Sequence, residues 1–283
     1  MARYLIVGAG GMLGQDLRLA LEGRDVTALG HSQLDIADAA AVDAAVVGHD
    51  IVINAAGYTR VDDAETHEDE AFATNALGAE NLARAAANAG AKFVHFSTDY
   101  VFDGHAATPY DEDHDRAPQN AYGRSKADGE RRILAADPGA TLLRTAWLYG
   151  AHGSNFAATM LRLASDRQTV DVIDDQRGQP TWTRDVAGRV VEMLDADTPG
   201  GTYHATNSGE TTWYGFAREV FRLAGLDEAR VHPTDSTSFV RPAVRPGYSV
   251  LGQLGWNSVG LAPLRDWRVA LAAAFDSGAF EAR

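Results

Sequence analysis

Tyr122 and Lys126, in the stretch Tyr122-Gly-Arg-Ser-Lys126, are the residues whose types and spacing most suggest chemistry. Four positions apart on a helix, a phenol and an ammonium share one face. A free phenol, with a pKa of about 10, holds its proton too tightly near neutrality to be a good general acid or base. An adjacent ammonium favours the phenolate and brings the group closer to working range. Of the 25 basic residues only two are lysines, at 92 and 126, which sets this one apart from casual surface charge. Taken alone the pair also fits a bland surface helix, so its meaning rests on the elements that position it.

Those elements begin at the N-terminus. Tyr4-Leu-Ile-Val-Gly8 reads as a buried strand, a short apolar run closed by glycine. Gly8, Gly11 and Gly14 follow at three-residue spacing, and Met12 to Leu21 has helical periodicity. Strand, glycine turn and helix are the context of a dinucleotide-binding turn. Glycine lets the backbone approach a pyrophosphate, and the helix N-terminus supplies amide N–H groups. A second strand, Asp25 to Leu29, should end near the adenosine ribose, where an acidic residue would indicate NAD. Gly30-His31-Ser32 stands there instead and leaves room for a 2′-phosphate, favouring NADPH and leaving NADH open. Asp35-Ile36 either meets the adenine or, through Asp35, caps a helix starting near Ala37.

The next strand, Ile51 to Asn54, runs into Ala55-Ala56-Gly57, small residues suited to close cofactor contact where open parallel sheets bind ligands. The acidic loop from Asp62 to Glu70 reads as a mostly solvated face. A helix follows with Phe72, Leu77 and Leu82 on its apolar side, and Asn75 within it reads as solvent-facing or locally satisfied. Lys92 to Phe96 is a fourth strand with Ser97-Thr98-Asp99 at its carboxyl end. The polar loop 100–121 then forms a lid or wall that returns Tyr122 to the neighbourhood of Thr98. Thr141 to Trp147 is another strand; Trp147 either lines a substrate pocket or belongs to the core.

With 283 residues the chain can bury a large core, as one big domain or two moderate ones. Its 45% hydrophobic and 23% charged residues are those of a soluble globular protein. The lack of cysteine excludes disulfides, cysteine nucleophiles and thiolate metal sites. A net charge of −14 argues against nucleic acid or an anionic membrane as partner. Scarce lysine with abundant Asp and Ala fits a salty cytoplasm and equally a GC-rich genome. The N-terminal apolar run is too short for a signal peptide and no run approaches a membrane span, so a cytoplasmic location is expected.

Together, Gly8-x-x-Gly11-x-x-Gly14, the Ser97-Thr98-Asp99 strand end, the loop with Pro109-Tyr110, Glu112, Asp113 and Pro118, and Tyr122-Gly-Arg-Ser-Lys126 resemble the extended short-chain dehydrogenase/reductases. Those act on nucleotide sugars. Within them the likeness is to the dTDP-4-dehydrorhamnose reductases. It runs on through Asn54-Ala-Ala-Gly-Tyr-Thr59, Phe96-Ser-Thr-Asp-Tyr-Val-Phe102 and Leu143-Arg-Thr-Ala-Trp147. It continues in Asp175-Gln-Arg-Gly-Gln-Pro-Thr181, Gly201-Thr-Tyr-His204 and Arg245-Pro-Gly-Tyr-Ser249, and so covers nearly the full chain.

The resemblance implies reduction of the C4 keto group of dTDP-4-dehydro-L-rhamnose by NAD(P)H. It makes Tyr122 the proton donor, Lys126 the group that lowers the Tyr122 pKa and bonds the nicotinamide ribose, and Thr98 the residue that polarises the carbonyl. Asp99 and Trp147 would lie near the sugar. Cofactor contacts would fall on Gly11, Met12 and Leu13, on Asp35 and Ile36, on Ala55, Ala56, Gly57, Tyr58 and Thr59, and on Phe96. Some relatives hold magnesium between subunits, so a homodimer and a metal are carried as open expectations; Asp16 takes the position of one ligand and the others are not placed. Alternatives are a related 4-keto-6-deoxy sugar reductase, an epimerase, or a non-catalytic NADP-binding subunit of the kind that serves methionine adenosyltransferase.

The implied fold is α/β, a doubly wound parallel sheet (Rossmann) over 1–150 with a smaller C-terminal substrate domain in 151–283. A segment near 183–205 is expected to rejoin the sheet, with Gly201 to Ala205 as its strand. Beyond 150 the sequence offers helices over Asn155–Ala164, Thr183–Leu194, Thr212–Ala224 and Pro263–Phe275, and a short strand at Val170–Ile173. The loop Gln176 to Thr181 is either a ligand wall or a plain connection. The stretch 231–249 reads as irregular; its Arg241 and Arg245 suit a diphosphate, which guanidinium binds bidentately, or else pair with surplus carboxylates.

Overall fold

The computed structural model describes residues 2–281. The first half alternates strand and helix: β1 Arg3–Val7, α1 Met12–Ala20, β2 Asp25–Leu29, α2 Ala39–Val46, β3 Ile51–Asn54, α3 Glu68–Phe72, α4 Ala79–Ala89, β4 Lys92–Thr98, α5 Ala121–Ala136 and β5 Thr141–Thr145. The second half holds β6 Leu148–Tyr149, α6 Phe156–Asp166, β7 Val170–Ile173, β8 Arg177–Gly178, β9 Thr181–Trp182, α7 Thr183–Asp195, β10 Gly201–His204, β11 Thr211–Thr212, α8 Trp213–Leu223, β12 Val231–Thr234, α9 Leu254–Ser258 and α10 Trp267–Asp276.

Six strands form one parallel sheet in the order β10-β5-β4-β3-β1-β2. The strands nearest its centre are apolar because both faces are covered. On one face α1 and α7 bury Leu13, Leu17, Val186 and Val190 against Ile6 and Ile53; on the other, Val42, Leu82 and Ile133 close over Leu5, Val52 and Phe93. The strand order reverses between β1 and β3, and this places a crevice at their carboxyl ends. A second apolar core, built from α6, α8 and α10 around Tyr149, Trp182 and Phe216, lies beside the sheet.

Several elements differ from their sequence reading for identifiable reasons. The strand expected to run to Trp147 stops at Thr145, because Trp147 takes a left-handed backbone (φ 45°). Leu148–Tyr149 then pairs with Thr181–Trp182 outside the main sheet. The helix after Ala37 starts at Ala39, with Asp38 as its cap, accepting from Ala40 and Ala41 N–H; Asp35 bonds the Ala37 N–H instead. Ala73–Gly78 is a π-helical turn, which shifts the register between α3 and α4. Leu77 is therefore exposed and Asn75 buried. Val231–Thr234, read as irregular, pairs in parallel with Val170–Ile173. The last helix begins only at Trp267, where Asp266 caps it.

Candidate active site

The glycine turn after β1 packs as a dinucleotide turn must. Gly8 sits at φ 81°, and a β-carbon there would lie 2.4 Å from the Ala56 nitrogen. One on Gly14 would lie 2.3 Å from the Gly8 carbonyl, so Gly14 serves helix–strand packing. Gly11 precedes α1 with no side-chain cap, so the first helical N–H groups are left without a side-chain partner. A cavity of about 400 Å³ opens there, lined by Gly8, Gly10, Gly11, His31, Asp35, Ile36 and the run Ala55 to Arg60. These features fit a nicotinamide dinucleotide. Ser32 is exposed beside this cavity rather than lining it, and the Leu13 side chain belongs to the core. Arg60, which the sequence reading passed over, brings a guanidinium to the same wall, 4.9 Å above the Tyr58 ring.

Tyr122 stands in the first turn of α5. Asn120 caps that helix by accepting from the Gly123 N–H at 2.7 Å, and Glu65 accepts from the Ala121 N–H at 2.7 Å. Tyr122, partly exposed as a residue, packs with Tyr58, a wall residue of the glycine-turn cavity. Its ring also meets Tyr100 edge-on at 5.6 Å. Tyr100 lines a second, larger cavity of about 700 Å³. Tyr122 thus packs on one wall residue of each space. Burial pushes its phenol up to about 12, against a lowering influence of the Thr98 hydroxyl.

Thr98, at the end of β4, donates to Asp99 Oδ1 at 2.9 Å and accepts from the Tyr100 N–H at 3.2 Å. Asp99 is buried, and burial raises its carboxyl to about 6. Lys126 is buried as well and lowered to about 8 by burial, with the Glu130 charge opposing. Its ammonium donates to the Phe96 carbonyl at 2.6 Å and approaches His95 Nε2 at 3.4 Å. Contrary to the role that the resemblance implies for Lys126, burial dominates the Tyr122 phenol and the Lys126 amine is turned toward β4.

Asn75, expected to be solvent-facing or locally satisfied, is buried and is a structural hub of the site. Its side chain accepts from the Tyr58 N–H and donates to the Tyr58 carbonyl and to Ser125 Oγ, which in turn donates to the Tyr122 carbonyl. Below Lys126, Glu130 is fully buried and bidentate to Arg144 at 2.9 and 2.8 Å, with Arg116 on the same carboxylate. Burial alone would raise Glu130, but the two guanidinium groups hold it down at about 2.

The larger cavity is lined by Tyr100, Phe156, Gln176, Trp213, Arg241 and Arg245, among others. Trp147 stands behind it, stacked on Trp213 at 3.5 Å, and a β-carbon on Gly178 would lie 2.6 Å from its ring. Of the loop 176–181, Gln176 reaches the cavity while Gln179 bonds the Leu251 backbone. Arg245 and Arg241 approach Asp62 at 3.0 and 3.6 Å, so this carboxylate of the acidic loop is engaged rather than solvated. Asp16 accepts from the Thr183 hydroxyl, and among the described residues no three His, Cys, Asp or Glu side chains cluster as a metal site.

The RmlD substrate binding domain family matches residues 2–279. The chain belongs to this family. RmlD-family relatives include a Streptomyces antibioticus protein named "Probable dTDP-4,6-dihydroxy-2-methyloxan-3-one 4-ketoreductase", 52% identical over 96% of this chain and 94% of that one. The dTDP-4-dehydrorhamnose reductase of Streptomyces griseus is 50% identical over 96% of this chain and 93% of its own. Among solved structures, the dTDP-4-dehydrorhamnose reductase of Bacillus anthracis in complex with NADP superposes with a TM-score of 0.94 at 36% identity, covering 98% of this chain and all (100%) of that one. No helix among the described residues is long and apolar enough to cross a membrane.

Proposed function

We propose that this RmlD-family protein is an oxidoreductase that reduces the C4 keto group of dTDP-4-dehydro-L-rhamnose to dTDP-L-rhamnose with NADPH. The observation that carries the reading is that Tyr122, with Thr98 beside it, packs on Tyr58 of the glycine-turn cavity and on Tyr100 of a larger one that presents two arginines. When bound, the reduced nicotinamide supplies the hydride.

The chain's own residues do the rest. At neutral pH the Tyr122 phenol keeps its proton and, tightly held though it is, gives it to the oxygen that gains charge as the carbonyl is reduced, because an alkoxide is a stronger base than a phenolate. The Thr98 hydroxyl, whose proton rests on Asp99 here, turns it to that oxygen when the sugar binds. Lys126 binds the nicotinamide ribose. The absence of a carboxylate at the end of β2, with His31 and Arg60 on the cavity wall, supports NADPH over NADH. Arg241 and Arg245 receive the diphosphate, and Asp99 and Trp147 border the sugar.

Turnover of dTDP-4-dehydro-L-rhamnose with each cofactor, with NMR of the product, tests this. A product lacking the rhamno configuration sinks the specific assignment, and full activity of Tyr122→Phe removes the proton donor. The 52% relative keeps one other reading in play, reduction of a different dTDP-linked 4-keto-6-deoxy sugar, which the same product analysis separates. No turnover of any such sugar by a protein that binds NADPH would point to a binding role.

A further inference from the structure

We propose that His95 is a positioning residue for the reaction: Asn54 wires it with its Nε2–H aimed at the Lys126 amine, which weakens that amine's hold on a third proton. This rests on the reading of Lys126 as an active-site group. The wiring starts in β3. Asn54 Oδ1 accepts from the Ala56 N–H at 3.0 Å, which fixes the amide and turns its NH₂ to His95 Nδ1 at 2.9 Å. Nδ1 is therefore the acceptor nitrogen. Burial, followed by the Lys126 charge, holds His95 well below its ordinary range, so the ring is neutral and carries one N–H. That N–H sits on Nε2, which faces Lys126 Nζ at 3.4 Å.

An ammonium has donors only, so a second donor aimed at it is unfavourable, whereas a neutral amine has a lone pair to accept with. The opposite tautomer would require Asn54 to flip and set its NH₂ against the Ala56 N–H, a buried clash of donors. The other groups around Lys126 do not undo this. On α5, Glu130 favours the ammonium but is shared by Arg144 and Arg116, and Tyr122 is protonated. The π-turn contributes Asn75, which does not titrate, and from β4 the Phe96 carbonyl accepts from either form.

Because the chain has two lysines, ¹³Cε-lysine NMR resolves Lys126 from the exposed Lys92 without any turnover. In His95→Leu the Lys126 titration should move up by roughly half to one pH unit. It should stay near the parent value in His95→Gln, whose amide keeps both an acceptor and a donor, and Lys92 should not move in either. The alkaline limb of kcat/KM should shift with Lys126. An unmoved or lowered Lys126 titration in His95→Leu overturns the proposal. So does a long-range ¹H–¹⁵N spectrum of the parent protein that shows Nδ1 protonated, a result available even if the variant does not fold. Failure to turn over dTDP-4-dehydro-L-rhamnose would instead refute the reductase reading and leave the tautomer and titration results standing.

Discussion

A β-carbon on Gly123 would lie 2.3 Å from the carbonyl oxygen of Tyr100, so the helix bearing Tyr122 can press on the turn bearing Thr98 only because residue 123 has no side chain. In an ordinary helix interior, replacing glycine by alanine gains about 1 kcal/mol of stability. At Gly123 the sign should reverse. We expect Gly123→Ala to cost roughly 10- to 100-fold in kcat/KM, because the helix must back away from the turn. Gly188→Ala in α7, with open space around it, should be active and more stable. Equal behaviour of the two variants in turnover and melting would show that the close approach does not matter.

The pH dependence of kcat/KM should be bell-shaped. Asp99, raised by burial to about 6, loses its charge as pH falls through that value, and Thr98 then loses the carboxylate that orients its hydroxyl. Lys126, lowered by burial to about 8, loses its charge as pH rises through that value. Reduction should therefore be fastest between about 6 and 8. A profile flat from pH 5 to 9 would remove both groups from the rate.

Much of this arrangement is legible along the chain because it is local. The strand, glycine turn and helix at residues 4–21, the Ser97-Thr98-Asp99 strand end and the Tyr122–Lys126 spacing each lie within one element and its flanks. What escapes is set by partners far away in sequence. The left-handed turn at Trp147 depends on stacking against Trp213 and on the bare backbone of Gly178. Asn75 looks like a surface residue until the π-turn rotates it inward to Tyr58 and Ser125. Likewise, Asp62 reads as a solvated carboxylate because its partners, Arg241 and Arg245, arrive from the other end of the chain.

Glu130 offers a stability prediction. Its carboxylate is held at about 2, against an unfolded value of 4.5, so its stabilisation is complete above the unfolded value and is lost as pH falls from about 4.5 toward 2. Glu130→Gln leaves Arg144 charged and buried without its counter-ion, which should cost about 3–5 kcal/mol at neutral pH. Chemical denaturation of Glu130→Gln beside the double variant Glu130→Leu/Arg144→Met checks it: the double variant should be markedly more stable than the single one. A single variant within experimental error of the parent would mean the buried pair contributes nothing.

Arg245 carries the last prediction. Its guanidinium is four-fifths buried, 3.0 Å from Asp62, on the wall of the larger cavity. The backbone around it is pinned as well, because Asn120 donates to the Val244 carbonyl at 2.8 Å and so ties this segment to the cap of the Tyr122 helix. If Arg245 receives a diphosphate, Arg245→Gln should raise KM for the nucleotide sugar roughly ten- to hundredfold, the worth of one or two charged hydrogen bonds. KM for NADPH should not change. Arg245→Lys should recover little, because an ammonium cannot reproduce the planar two-pronged contact of guanidinium. An unchanged sugar KM, together with a lowered melting temperature, would assign Arg245 to the ion pair with Asp62 alone and leave the diphosphate to other donors.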